Sequence, residues 1–164
     1  MIGIGGISRS GKSSLAQRLV DQAGDRKCLI LGLDEFVFTE SAIPKIKGET
    51  DWERPESTDF HKVIQTIQLH QDEHDLIIVE GIHAFTDEQL LSCYDTTVYL
   101  KLSKATFLKR RGKETRWGKE ADWYPVHVWE SHQKYGLYPK ADYVLSGELP
   151  IKEKTILEIL EMQN

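Results

Sequence analysis

The sequence predicts a three-layer α/β fold, a doubly wound parallel sheet of about five strands with helices on both faces. Three observations carry that expectation. Five short apolar runs, at 2–7, 28–33, 76–79, 97–102 and 143–145, lack the polar alternation of half-exposed strands, as strands buried on both faces do. Segments of helical period separate them. A Gly/Ser-rich turn joins the first run to the first helical segment. With 164 residues, the chain is expected to form a single domain over 1–164.

The elements follow in order. Ile2, Ile4 and Ile7, interleaved with glycines, predict a short buried strand. Residues 12–23 are helical, with Leu15, Leu19 and Val20 on one face, and Gly24-Asp25 stops them. The second run, 28–33, leads straight into Asp34-Glu35. Residues 36–58 carry Pro44, Gly48 and Pro55 without a clear period and are expected to be loop-rich with short helical pieces. Asp59 caps a helix presenting Phe60, Val63, Ile64 and Ile67. The third run ends at Glu80-Gly81, and a short helix is expected over 86–92. Ser103 caps a helix to about Arg111 after the fourth run. A Trp-rich basic stretch forms a lid over about 111–124, followed by a Pro125-led helix to Tyr135. The fifth run, 143–145, precedes a terminal helix over 151–162.

Composition excludes several classes. Forty per cent hydrophobic and 29% charged residues are ordinary for a globular domain. No apolar run approaches the ~18 residues of a membrane span, and the N-terminus lacks the basic region of a secretory signal. Cys28 and Cys93 form no C-x-x-C and read as buried thiols of a cytoplasmic protein. A net charge of −5 argues against nonspecific nucleic-acid binding. The charge is uneven, however: residues 101–119 hold eight bases and one acid, +7 against −12 for the rest. Such a stretch is either a solvated helix face or a clamp over phosphates.

The strongest motif is Gly6-Ile7-Ser8-Arg9-Ser10-Gly11-Lys12-Ser13, which fits G-x-x-x-x-G-K-[ST] between a strand and a helix. Glycines let main-chain N–H groups turn inward around phosphate oxygens, and the following helix adds its positive end. Gly6, Ser8, Arg9, Ser10, Gly11, Lys12, Ser13 and Ser14 are therefore candidates for holding ATP. Lys12 would reach the terminal phosphates and Ser13 would bind Mg²⁺. A dinucleotide fingerprint fails, because neither Gly3 nor Gly5 starts a complete G-x-G-x-x-G.

Three further features discriminate among users of such a loop. Asp34 follows the second strand, and ligands bind beyond the carboxyl ends of parallel strands. Its carboxylate can accept a proton from a hydroxyl nucleophile or hold Mg²⁺. Glu80 occupies the analogous position after the third strand, as a metal or substrate contact. Arg110, Arg111 and Arg116 can stabilise a transferring phosphoryl group from a lid. No N-K-x-D of a GTPase occurs. The residues thus favour a kinase of a small molecule over a nucleotide-binding regulatory module.

These residues resemble the uridine kinase and ribosylnicotinamide kinase branch of the P-loop kinases over roughly residues 2–147. Leu33-Asp34-Glu35-Phe36 resembles the family's strand end, whose leading Asp is the catalytic base. Asp51-Trp52-Glu53-Arg54-Pro55-Glu56-Ser57-Thr58-Asp59 is similar to the uridine kinase string N-F-D-H-P-D-A-F-D. Ile78-Val79-Glu80-Gly81-Ile82 matches the [IV]-x-E-G-[IF] segment. Lys109-Arg110-Arg111 with Thr115-Arg116, then His127-Val128-Trp129, looks like the ribosylnicotinamide kinase lid. The resemblance implies an ATP- and Mg²⁺-dependent kinase acting on the 5′-hydroxyl of a nucleoside-like acceptor. It makes Asp34 the base, gives Ser13 and Glu80 to Mg²⁺, and sets Arg111 or Arg116 on the γ-phosphate or ribose. Glu53 stands where the family uses Asp to grip the ribose diol, a departure that leaves another alcohol, such as pantothenate or a sugar, as the alternative acceptor.

The remaining aromatic and histidine residues divide. Trp52 and His83 are candidates for the acceptor side. Trp117 and Trp123 either stack on a base or cover the lid, and Trp129 packs in the core. His70 and His74 stand at i, i+4; with no third ligand placed, they read as an exposed helix end.

Overall fold

The computed structural model describes residues 1–113 and 120–162. Five parallel strands form the sheet: β1 (Ile2–Gly6), β2 (Cys28–Gly32), β5 (Leu76–Gly81), β6 (Thr96–Lys101) and β7 (Tyr143–Ser146). Their spatial order is β2-β5-β1-β6-β7. Strand β1 lies at the centre, pairing Ile4 with Glu80 on one side and with Val98 on the other. Every residue of β1 is buried, which is why its sequence carries no polar face.

Helix α1 (Lys12–Gln22) and the terminal helix α6 (Glu153–Glu161) cover one face. Leu15, Ala16 and Leu19 from α1 meet Ile156, Ile159 and Leu160 from α6 over Ile2, Ile4, Ile78 and Val98. Burying each large aliphatic side chain stabilises the fold by about 1.5–3 kcal/mol relative to exposure. Helices α2 (Phe60–His70) and α3 (Glu88–Leu91) cover the other face. The Asp59 side chain accepts from the Lys62 N–H and starts α2, as its sequence foretold. Val63, Ile64 and Ile67 then pack on Leu31, Ile77 and Val79. Ser103 caps α4 (Lys104–Arg111) in the same way, and Phe107 of α4 meets Ile7 and Val128 in a third cluster, with Trp129 against it. Trp129 is thus a packing residue.

Two segments differ from expectation. Residues 36–58 contain a hairpin, β3 (Lys45–Ile46) and β4 (Glu49–Thr50), joined by Lys47 and Gly48, both at positive φ (49° and 89°). That is the two-residue geometry hairpins favour, but Lys-Gly is not the Asn-Gly signature that announces it. The Pro125-led helix, α5 (Tyr124–Ser131), ends early and widens into a π-turn over His132–Gly136. The turn holds His132 Nε2 2.9 Å from the Tyr99 hydroxyl. Gly136 permits it, since a Cβ there would stand 2.2 Å from His132 Nδ1.

The topology locates the crevice. The chain runs from β1 to β2 and β5 on one side, then crosses to β6 and β7 on the other. The loop after β1 therefore sits where strand order reverses, at the carboxyl ends where parallel sheets bind ligands.

Candidate active site

The loop from Gly6 to Ser13 has the backbone its glycines suggest. Gly6 has φ +141°, and a Cβ there would stand 2.6 Å from the Leu100 carbonyl, so no other residue fits without movement. Gly11 has φ +101° with open space where its Cβ would be, leaving the main chain exposed just before α1. Arg9 adopts φ 67° between them.

Lys12 is buried beneath this loop, and its ammonium donates to the Ile7 carbonyl at 3.2 Å. Burial holds its pKa below the usual lysine value, while the carboxylates of Glu80, Asp34 and Glu53 pull it back up. Those three acids come from three separate segments: the end of β5, the 3-10 turn Leu33–Glu35 after β2, and the loop before α2. All three act on the one lysine through their charge. The Ser13 hydroxyl donates to Glu80 Oε1 at 2.6 Å. This pair offers hard oxygen donors at the start of α1, a set that fits Mg²⁺.

Arg111, the last residue of α4, reaches the loop directly. It donates to Ser8 Oγ at 2.9 Å and forks both carboxylate oxygens of Glu120. Arg110 donates to the Arg9 carbonyl at 2.9 Å. The cationic stretch is therefore a clamp on the loop as far as Arg111. Arg116 and Trp117 lie outside the described residues.

The acceptor candidates divide by depth. Glu53 is 8% exposed, and burial raises its carboxyl to about 7, although Arg111 and His127 pull it down. His83 is 4% exposed, and burial lowers its imidazole to about 4 despite the opposing pull of the Trp52 main chain and Asp34. Both line a cavity of about 10 Å³ with Ile7, Ser8, Ser131 and His132, room for about one water. Trp52 is half-buried, and its carbonyl accepts from Ser57 Oγ at 3.0 Å. Trp123 is engaged by Lys47, whose ammonium stands 4.6 Å from its ring centre, so the hairpin touches the start of α5.

Three features escaped the sequence. Glu35 borders the same space over Gly32 as Glu80: a Cβ on Gly32 would be 3.9 Å from Glu80 Oε1 and 4.0 Å from Glu35 Oε1. Its place in the Asp34-Glu35 doublet was the available signal. Asp51 bonds His127 Nε2 at 2.7 Å across 76 residues; both belong to the quoted strings, but nothing in them paired the two. His132 joins the cavity through the π-turn, for which no sequence signal exists.

The sheet order, the loop and its converging acids define a P-loop α/β fold of the type shared by small-molecule kinases. Among solved structures it resembles shikimate kinase from Bacteroides thetaiotaomicron, at 18% identity over 98% of this chain and 93% of that one, TM-score 0.59. It also resembles shikimate kinase from Aquifex aeolicus, at 22% identity over 98% and 94%, TM-score 0.54. The sequence resemblance is borne out by relatives of the expected names. Uridine kinase of Schizosaccharomyces pombe is 31% identical over 137 residues, covering 67% of this chain and 30% of that protein. Uridine kinase of Geobacillus kaustophilus is 30% identical over 125 residues, covering 61% and 59%. Human nicotinamide riboside kinase 1 is 26% identical over 152 residues, covering 82% and 75%. The chain thus spans 30% to 59% of the length of these uridine kinases. No family model matches the chain. Among the described residues, no helix is long and apolar enough to cross a membrane.

Proposed function

We propose that this chain is an ATP- and Mg²⁺-dependent phosphotransferase acting on the primary hydroxyl of a nucleoside-like small molecule. The observation that carries the reading is the Ser13–Glu80 hydrogen bond at the phosphate loop, where Glu80, Asp34 and Glu53 together favour the charged form of Lys12. Loop amides and Lys12 hold the donor's phosphates. Ser13 and Glu80 would hold Mg²⁺, which when bound offsets charge on the β- and γ-phosphate oxygens. Asp34, in the turn after β2 and electrostatically coupled to the same lysine, would orient the acceptor hydroxyl and take its proton. Arg111, steered onto the loop by Ser8 and Glu120, meets charge developing on the transferred group. Arg116 is assigned to the same lid on the resemblance alone. Glu53, His83 and Trp52 form the acceptor side.

The relatives support the acceptor class: those matched include uridine kinases and nicotinamide riboside kinases, alongside one phosphoribulokinase. Glu53, in place of the expected Asp, keeps other alcohols in the comparison. The test is ADP release with Mg-ATP across nucleosides, ribosylnicotinamide, pantothenate and sugars. Release is expected with a nucleoside-like acceptor and is lost in Asp34→Asn, which still binds ATP. Turnover confined to a sugar or pantothenate overturns the acceptor class. Silence across the panel by a protein that binds ATP overturns the kinase reading in favour of a regulatory module.

A further inference from the structure

The end of α2 carries a constellation that the kinase chemistry does not use. His70 is the last residue of the helix, and the chain then turns through 71–73 before His74 and the start of β5. The turn folds Glu73 back over the helix end, where its N–H donates to the His70 carbonyl at 3.1 Å. One ligand atom from each of His70, Glu73 and His74 consequently lies within 4.8 Å of the other two. Read along the sequence, the two histidines lacked a third ligand; the turn supplies it.

Two observations give this group the character of a binding site. First, His74 Nδ1 lies 3.0 Å from the His70 carbonyl. A carbonyl only accepts, so Nδ1 carries the proton and Nε2 keeps its lone pair. That is the tautomer metal-bound histidines take, with the second nitrogen donating to a backbone carbonyl. Second, His70 Nδ1 is buried and finds no hydrogen-bond partner among the described residues; a buried polar atom left so is costly. Glu73 Oε2 stands 3.9 Å from it, too long for a hydrogen bond. Ligands about 2.0–2.2 Å from a tetrahedral ion are roughly 3.4 Å from one another, so small side-chain rotations suffice to bring the three onto one centre. Among the described residues Glu73 otherwise pairs with the exposed Lys27 ammonium at 4.0 Å, a weak competitor in water.

We propose that His70, Glu73 and His74 bind a divalent transition-metal ion of the Zn²⁺ type, with water completing a tetrahedral shell. Two imidazoles and one carboxylate suit Zn²⁺ and its neighbours in the first row and not Mg²⁺ or Ca²⁺, which take all-oxygen sets. The site is separate from the nucleotide crevice. It lies at the amino-terminal end of β5, whereas Glu80 lies near the opposite end, roughly 20 Å of extended chain from His74. An ion here would pin the end of α2 to the turn that enters β5, and so stiffen the layer over Ile77 and Val79.

The test uses untagged full-length chain, freed of metal with a chelator and titrated with ZnCl₂ in excess Mg²⁺. Calorimetry should give one Zn²⁺ per chain, and Co²⁺ in its place should give the intense visible bands of a tetrahedral site. His70→Ala, His74→Ala and Glu73→Gln should each weaken binding by about tenfold or more. Glu80→Gln and His61→Ala, at the far end of α2, should leave it unchanged. Circular dichroism checks that the variants fold. Thermal unfolding adds a second readout: Zn²⁺ should raise the wild-type Tm and fail to raise that of His74→Ala. Equal affinity in wild type and the three ligand variants overturns the proposal, as does loss of binding in Glu80→Gln alone. Absence of stoichiometric binding at 100-micromolar Zn²⁺ also overturns it. None of these outcomes bears on phosphoryl transfer.

Discussion

The Ser13 hydroxyl donates to Glu80 Oε1 across 2.6 Å, joining the first turn of α1 to the tip of β5 over 67 residues of sequence. The bond sets both oxygens in one orientation beside Lys12, where a hard cation's ligands are needed. Glu80→Gln keeps the shape but removes the charge. The variant should need about 10–100-fold more Mg²⁺ for half-maximal turnover, while Tm moves little because Glu80 is only half-buried. Turnover titrated against Mg²⁺ at fixed ATP measures this. An unchanged Mg²⁺ requirement would remove Glu80 from the metal site.

Arg111 spends its guanidinium on two partners at once, Ser8 of the loop and both oxygens of Glu120. Lysine keeps the charge but cannot make a planar fork. Arg111→Lys is therefore expected to lower kcat by about 10–100-fold, in line with the loss of one preorganised charge contact. Steady-state kinetics at saturating Mg-ATP separates this from weakened ATP binding. A variant with normal kcat would show that Arg111 only tethers the lid.

The parts of the site carried by contiguous strings were legible in the sequence, and so was the fold. Local physics explains why. Gly6 to Ser13 announces its own turn, and Asp34 and Glu80 each end an apolar run, so the parallel-sheet rule sets both at the carboxyl ends of their strands. The hairpin around Lys47-Gly48 was not legible, because a lysine at positive φ has no sequence signature. Nor was the bond between Asp51 and His127, which depends on how α5 packs against a distant loop. Glu73 was visible as a residue but not as a partner of His70, since only the turn after α2 brings the two together.

Glu53 makes a pH prediction on the neutral side. Its folded-state pKa is raised to about 7 from 4.5, chiefly by burial. Between those values the folded chain binds a proton the unfolded chain has released, so stability falls as pH rises from about 4.5 to about 7 and is level above. Glu53→Gln cannot ionise and should lose this slope, gaining on the wild type by a few kcal/mol at pH 8 relative to pH 4.5. Urea unfolding at a series of pH values reads the difference. Parallel curves for the two proteins would place the Glu53 ionisation outside the buried cavity.

His83 and His132 act in the opposite sense across a window that overlaps on the acid side. Burial lowers each imidazole from 6.5 to about 4, so each is held neutral in the folded chain while the unfolded chain takes up a proton. The stability they contribute is complete above about pH 6.5 and is lost as pH falls towards 4, on the order of 3 kcal/mol for each. The two face the same small cavity, and His83 also lowers the pKa of His132, so the losses need not add. His83→Gln should fold, because glutamine offers the cavity a neutral polar group, and should flatten the unfolding profile between pH 6.5 and 4. The His132 contribution remains. If the wild type and His83→Gln lost stability equally over that range, the imidazole of His83 would have to be protonated without cost, and its assignment as a buried neutral group beside Glu53 would fall.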